Sequence, residues 1–333
     1  MNEINHIVSD IKNGNAKPIY VLMGEEAYYI DKISDFIEAT VLSEEEKGFN
    51  QVVLYGRDIT VDDIVANAKR FPMMAEKTVV IVKEAQDLGK NIENLAAYLE
   101  NHQPSTVLVI NYKYKNIDKR KKFLKLASKI GVVYQSKRLY ENQVADWIRK
   151  VLNGKGYQME PKASQILVEF LGVDMGKISN ELDKLMLIVP KGTILNSDHI
   201  EKNIGISKDF NNFELRKALG NKSIAKANQI VTYFSNNPKK NPLVMTIALL
   251  NSFFVQLLIY HGLKDKSKSN VAKSLGVNPY FVDDYVQAAR NYPMRKVSKI
   301  IEYLREADVK SKGVGGNLSQ HDTLKELLFK IMH

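Results

Sequence analysis

Two short stretches of the chain carry the residue types with the most explicit chemistry. The first, IYVLMGEEAYYIDKISDFI from Ile19 to Ile37, sets a glycine between a short apolar run and a helix-like segment. A phosphate-binding loop begins this way, because the backbone N–H groups at a helix N-terminus attract an anion. Such a loop also needs a second glycine for close backbone approach, a lysine for the β- and γ-phosphates and a Ser/Thr for magnesium. Here Gly24 is followed by Glu25, Glu26, Ala27, Tyr28, Tyr29 and Ile30, so carboxylates and phenols stand where phosphates would sit. The second stretch, TVVIVKEAQDL, is where an ATPase of this arrangement carries the acidic pair that holds magnesium and polarises the attacking water. Lys83 occupies the aspartate's position and competes with the metal, and only Glu84 remains. Two independent losses argue against ATP hydrolysis, and no cofactor is expected.

The elements that would position these residues alternate. Over the first 138 residues, β-rich runs at Ile19 to Met23, Val52 to Tyr55, Thr78 to Val82, Thr106 to Ile110 and Val132 to Tyr134 are separated by helix-like segments. Those segments are Tyr28 to Val41, Val61 to Arg70, Ile92 to Asn101 and Lys119 to Lys129. This alternation predicts an α/β domain with a parallel sheet. Beyond Arg138 apolar residues recur at helical spacing: Val144, Trp147, Ile148, Val151 and Leu152, then Ile178, Leu182 and Leu185. Helical patterns continue through Ile230 with Phe234, through Val297, Ile300, Ile301 and Leu304, and through Leu324, Leu327, Leu328 and Ile331. The expected plan is an α/β domain over 1–138, a small helical domain over 139–206 and a larger helical domain over 207–333.

Composition narrows the class. A chain of 333 residues with 44% hydrophobic and 26% charged residues has the balance of a folded protein. The absence of cysteine excludes disulfides, cysteine-zinc sites and thiol nucleophiles and fits a reducing cytoplasm. MNEINHIVSDIKNG shows no secretory signal, so the cytoplasm is the expected location. The run from Leu243 to Leu263 resembles a membrane span, but its Thr246, Asn251, Ser252, Gln256 and His261 favour a buried core helix. The six histidines, His6, His102, His199, His261, His321 and His333, show no metal-binding spacing, and no Ser-His-Asp or Cys-His set can be assembled. GVGGN from Gly313 is a lone glycine-rich loop.

Net charge of +10 favours a polyanionic partner. The densest basic stretch, NYKYKNIDKRKKFLK, offers Lys113, Lys115, Lys119, Arg120, Lys121, Lys122 and Lys125 with Tyr112 and Tyr114 interleaved. Phosphate contacts plus stacking suit single-stranded nucleic acid, and a solvated helix face accounts for it equally. In AKRFPMMAEKTVVIV, Phe71, Met73 and Met74 surround Pro72 at a helix end, either as an apolar plug for a partner's pocket or as core under the sheet. NVAKSLGVNPYFVDDYV, Asn270 to Val286, has helix-turn-helix spacing, which leaves a DNA-binding regulator as the alternative function. Its second helix would offer Tyr280, Asp283 and Asp284 to the groove, where carboxylates are poor phosphate neighbours.

In this order the segments resemble the delta subunit family of the bacterial DNA polymerase III clamp loader. KPIYVLMGEEAYYIDK looks like that family's strand, G-[DE]-E, helix opening. FPMMAEKTVVIV resembles its clamp-contacting helix end, ISNELDKL its second-domain helix with Glu181 and Lys184, and YLREADVKSKG its third-domain motif. The resemblance implies an AAA+-like domain without a functional phosphate loop, followed by two all-α domains, the last a collar for oligomerisation. It implies a subunit that binds the sliding clamp and opens one ring interface, so that the clamp is loaded on primed DNA. ATP would be hydrolysed by other subunits, and delta-prime and the ATPase subunits would be its partners. No catalytic site of its own is implied, although as part of the holoenzyme it is grouped with DNA-directed DNA polymerase. By the family pattern Phe71, Met73 and Met74 contact the clamp, which favours the plug over the core reading. Where the family often has Leu-Phe this chain has Met73-Met74, so one aromatic anchor is missing.

Overall fold

A computed structural model describes residues 2–313 and 319–333, so all of the GVGGN loop after Gly313 lies outside the described residues. The chain divides into two compact units, the first ending at Leu139 and the second beginning at Tyr140.

The first unit runs α1 (Asn2–Lys12), β1 (Ile19–Gly24), α2 (Ala27–Thr40), α3 (Glu44–Asn50), β2 (Gln51–Tyr55), α4 (Val61–Ala68) and β3 (Thr78–Lys83). A 3-10 segment (Ala85–Asn94), α5 (Leu95–Glu100), β4 (Thr106–Lys113), α6 (Lys122–Ile130) and β5 (Val132–Ser136) complete it. The strands form one parallel sheet in the order β2-β3-β4-β1-β5. β1 and β3 are continuous apolar runs because both faces of a parallel sheet are covered. The period of two sends Ile19, Val21 and Met23 into the layer packed by α4, α5 and α6, and Tyr20 and Leu22 into the layer packed by α1 and α2. Two helices were not expected, α1 and α3. The first buries Ile7 and Ile11, four apart, and the second is fixed by Ser43, whose N–H donates to the Glu46 carboxylate at 2.9 Å.

The second unit contains α7 (Glu141–Gly154), α8 (Pro161–Leu171), α9 (Met175–Ile188), α10 (Ser197–Ile204), α11 (Asn212–Gly220) and α12 (Ile224–Asn236). There follow α13 (Leu243–Gly262), α14 (Lys268–Leu275), α15 (Val282–Asn291), α16 (Met294–Ser311) and α17 (Gln320–Met332). Two short runs, β6 (Gln158–Met159) and β7 (Ile194–Leu195), pair in parallel. The long apolar α13 is the spine of this unit: Ile247, Leu250, Phe253, Phe254 and Leu257 join one core with residues of α11, α12, α14, α15, α16 and α17. Of its polar members, Gln256 donates to Leu275 O at 3.0 Å and accepts from Tyr285 at 2.6 Å. His261 Nε2 lies 2.8 Å from Tyr292 O, whereas Asn251 and Ser252 are exposed and buried Thr246 Oγ1 has no hydrogen-bond partner among the described residues.

Candidate functional site

The C-terminal edge of the sheet is where an ATPase of this strand order would hold nucleotide. Gly24 there has φ +130°, and a Cβ on it would lie 2.1 Å from the Ser136 carbonyl oxygen. The glycine therefore serves the close packing of β1 against β5. Only Glu25 and Glu26 separate β1 from α2, and Glu26 accepts the Tyr28 N–H at 3.0 Å. The positive end of α2 is thus occupied by the chain's own carboxylate.

The ends of β3 and β4 are likewise internally neutralised. Lys83 pairs with Glu38 of α2 at 3.2 Å. Glu84, in the left-handed region at φ +52°, accepts from Lys113 at 2.7 Å and from Gln86 at 2.6 Å. Lys113 also reaches Asp31 of α2 at 2.8 Å, and its N–H donates to Gln86 at 3.1 Å. Burial opposes the charge on Glu84, but hydrogen bonds from Lys113 and Gln86 outweigh it and hold its carboxyl below the ordinary range. Lys113 is the mirror case: burial opposes its charge, and Asp31 and Glu84 overcome that and raise its pKa. Asp35 nearby is raised, chiefly by burial and then, against the pull of Lys83, by Asp31 and Glu38. This edge holds a closed ion network where a phosphate cradle and a metal site would otherwise be.

A second feature lies between α4 and β3. The C-terminal end of α4 is tied down by Thr106 Oγ1 and Tyr98 OH, which donate to Ala68 O at 2.8 and 3.1 Å. Residues 69–77 then loop outward, with Phe71 78% exposed, Met73 56% exposed and Met74 fully so. Met74 has φ +53°, a conformation that side chains with a Cβ rarely take. Asn50, at the end of α3, bonds the Met73 backbone in both directions. Phe49 beside it is 66% exposed. Neither Phe49 nor Asn50 stands out in the sequence. Only the Ser43–Glu46 capping pattern, which predicts α3, would have drawn attention to that helix end.

The basic stretch is divided by its partners. Lys113 is buried in the network just described. Arg120 pairs with Asp118 at 2.6 Å, Lys121 with Glu93 at 2.9 Å and Lys122 with Glu100 at 2.6 Å, all at the surface. Lys115 and Lys119 are exposed with no carboxylate partner among the described residues, and exposed Tyr114 precedes them at φ +62°. In the helix-turn-helix segment, α14 and α15 contribute Val271, Leu275, Val282, Tyr285 and Ala288 to the core around α13. Asp283 pairs with Lys268 at 2.9 Å, and burial foremost raises Asp284. A pair of helices packed this way, with carboxylates at the start of the second, is a bundle element. Among the described residues no group of three His, Asp or Glu side chains could hold a metal.

The fold and this edge together define a class: an ATPase-like α/β unit whose nucleotide edge is filled by its own charges, joined to a helical unit. The family model for the DNA polymerase III delta subunit matches residues 20–137, and that for the delta subunit's C-terminal domain matches residues 209–330. The chain belongs to the DNA polymerase III delta subunit family, whose members are clamp-loader subunits in DNA replication. It is 25% identical over 312 residues to DNA polymerase III subunit delta of Bacillus subtilis, covering 91% of this chain and 90% of that one. It is 24% identical over 282 residues to the probable DNA polymerase III subunit delta of Aquifex aeolicus, covering 79% and 77%. Among solved structures, the Bacillus subtilis DNA clamp loader delta protein superposes with a TM-score of 0.55 at 24% identity, over 99% of both chains.

Proposed function

We propose that this delta-family chain binds the ring-shaped sliding clamp and opens one of its interfaces without hydrolysing ATP itself. The observation that carries the reading is the loop of Phe71, Met73 and Met74, three large apolar side chains exposed within four residues on a backbone braced at Met73. Exposed apolar clusters of this kind mark interaction sites. A ligand opens a ring only by preferring the open form, and moving a mostly closed ring to mostly open takes about 5.5 kcal/mol of preference. Full burial of each anchor supplies about 1.5–3 kcal/mol, so three anchors are of the right scale. The remainder of the α/β unit would block reclosure sterically.

On this reading the protein works in the cytoplasm within a complex whose ATPase and delta-prime subunits handle nucleotide. The second unit serves it through two segments, 139–206 and the collar 207–333. Primed DNA would meet the complex near Lys115 and Lys119. Arg120, Lys121 and Lys122 can join them, because surface ion pairs hold side chains by only about 0–1 kcal/mol. Lys113 is left out because its ammonium is committed to Asp31 and Glu84.

The test is binding of the purified chain to the sliding clamp of the same organism, comparing wild type with Met73→Ala/Met74→Ala and checking the fold by circular dichroism. Wild type is expected to bind and the folded double variant to lose at least about 100-fold, or about 2.7 kcal/mol. Equal binding by both would remove the loop from the interface.

A further inference from the structure

Asn50 is 1% exposed at the end of α3, although its carboxamide carries donors and acceptors that burial obliges it to satisfy. Its Nδ2 donates to Met73 O at 2.9 Å and to Glu46 O at 3.0 Å, and its Oδ1 accepts the Met73 N–H at 2.7 Å. The two bonds to Met73 grip both polar groups of one residue, as a neighbouring strand would. They span 23 positions of sequence, whereas capping α3 needs only the bond to Glu46. Among the described residues, no other side chain hydrogen-bonds the backbone of residues 71–76. Directly after the gripped residue comes Met74 at φ +53°, a conformation that persists only where the surroundings impose it.

We propose that Asn50 is the positioning residue of the docking loop. By fixing the peptide groups of Met73, it sets the backbone so that Phe71, Met73 and Met74 face outward before a partner arrives. Ordering the loop in advance removes an entropy cost from association. This rests on the reading that the loop docks on the sliding clamp, and Asn50, being buried, acts through Met73 rather than by touching the clamp.

The experiment pairs two readouts on the full chain. Amide hydrogen exchange is followed in the free protein, and clamp affinity is measured for wild type, Asn50→Ala, Met74→Ala and the double variant. In Asn50→Ala the Met73 amide is expected to exchange at least about tenfold faster while the amides of β1, β3 and β4 keep their protection. The clamp Kd is expected to rise about tenfold or more, which corresponds to about 1.4 kcal/mol. Combined with Met74→Ala the losses are expected to be less than additive, since both act through one loop. Unchanged protection of Met73, an unchanged Kd, or full additivity would each overturn the proposal. If circular dichroism shows Asn50→Ala unfolded, Asn50→Leu, which keeps the side chain's size and removes both bonds to Met73, takes its place with the same expectations. Failure of wild type to bind would overturn the docking reading and with it this role. That outcome is distinct, because the exchange readout does not involve the clamp.

Discussion

Lys113 lies between Asp31 and Glu84 with its side chain nearly enclosed. Lys113→Met would leave two partly exposed carboxylates, Asp31 and Glu84, without their shared cation, and is expected to cost about 1 kcal/mol in urea unfolding at neutral pH. The pH dependence has a definite sign. Glu84 titrates below its ordinary 4.5 in the folded protein, so the stability it contributes is present above that value and is lost as pH falls through the lowered one. Lys113 titrates above its ordinary 10.5, so its share is present below 10.5 and is lost as pH rises through the raised one. The gap between wild type and Lys113→Met should therefore be widest between these limits and narrow in acid. A gap that stayed constant down to strong acid would mean that the ion pair is not its source. The chemistry of Glu25, Glu26, Lys83 and Glu84 was legible in the sequence because it depends on residue type at a strand end. The burial of Lys113 was not, since a lysine in a run of lysines reads as surface until the partners on α2 and after β3 are brought beside it. Asn50 escaped for the same reason, its partner lying 23 residues away.

Among the elements, α13 shows how far periodicity carries. Its apolar length alone fits a membrane span. Its polar residues pointed to a core, and Phe254 indeed lies fully buried among helices of the same unit. Phe254→Ala is expected to lower stability by about 3–5 kcal/mol in urea unfolding, while Ile259→Ser on the exposed side should change it by less than about 1 kcal/mol. The opposite ranking would mean that the packed face has been misassigned. The strands of the first unit were read to within three residues, β4 running on to Lys113 past the expected Ile110, because central parallel strands are continuous apolar runs. Helix starts were harder. The segment expected to be helical from Ile92 opens as a 3-10 stretch from Ala85 with Gly89 kinked inside it, and α6 begins at Lys122 rather than Lys119. β6 and β7 are too short to leave a period. α3 also sets exposed Phe49 next to Asn50, which braces the loop of residues 69–77, so if that loop docks as proposed, Phe49→Ala is expected to weaken clamp binding several-fold without altering the melting temperature. An unaffected Kd would confine the contact to residues 71–74.

For the molecule as a whole, the expected division of labour is that other subunits turn over nucleotide while this one grips the ring. Adding about 1 mM ATP with magnesium is accordingly expected to leave the melting temperature unchanged within about 1 °C, since a ligand stabilises only the state that binds it. A rise of several degrees would show a nucleotide site elsewhere on the chain. The sequence made the order of an α/β segment and helical segments legible, because strand and helix periods differ. It could not give the two-unit compactness, which depends on which helical faces meet.

The two-residue connection between β1 and α2 carries a consequence for ancestry. Rebuilding a nucleotide cradle there would require extra backbone, a second glycine, a lysine and the removal of Glu26 from the helix end it caps. It would also require Glu84 to be freed from Lys113 and Lys83 to be replaced, steps that leave Lys113 with Asp31 alone or Glu38 of α2 without its partner, while removing Glu26 uncaps α2. An edge filled in this manner resists being emptied one substitution at a time, because the charges and the cap that fill it hold one another in place.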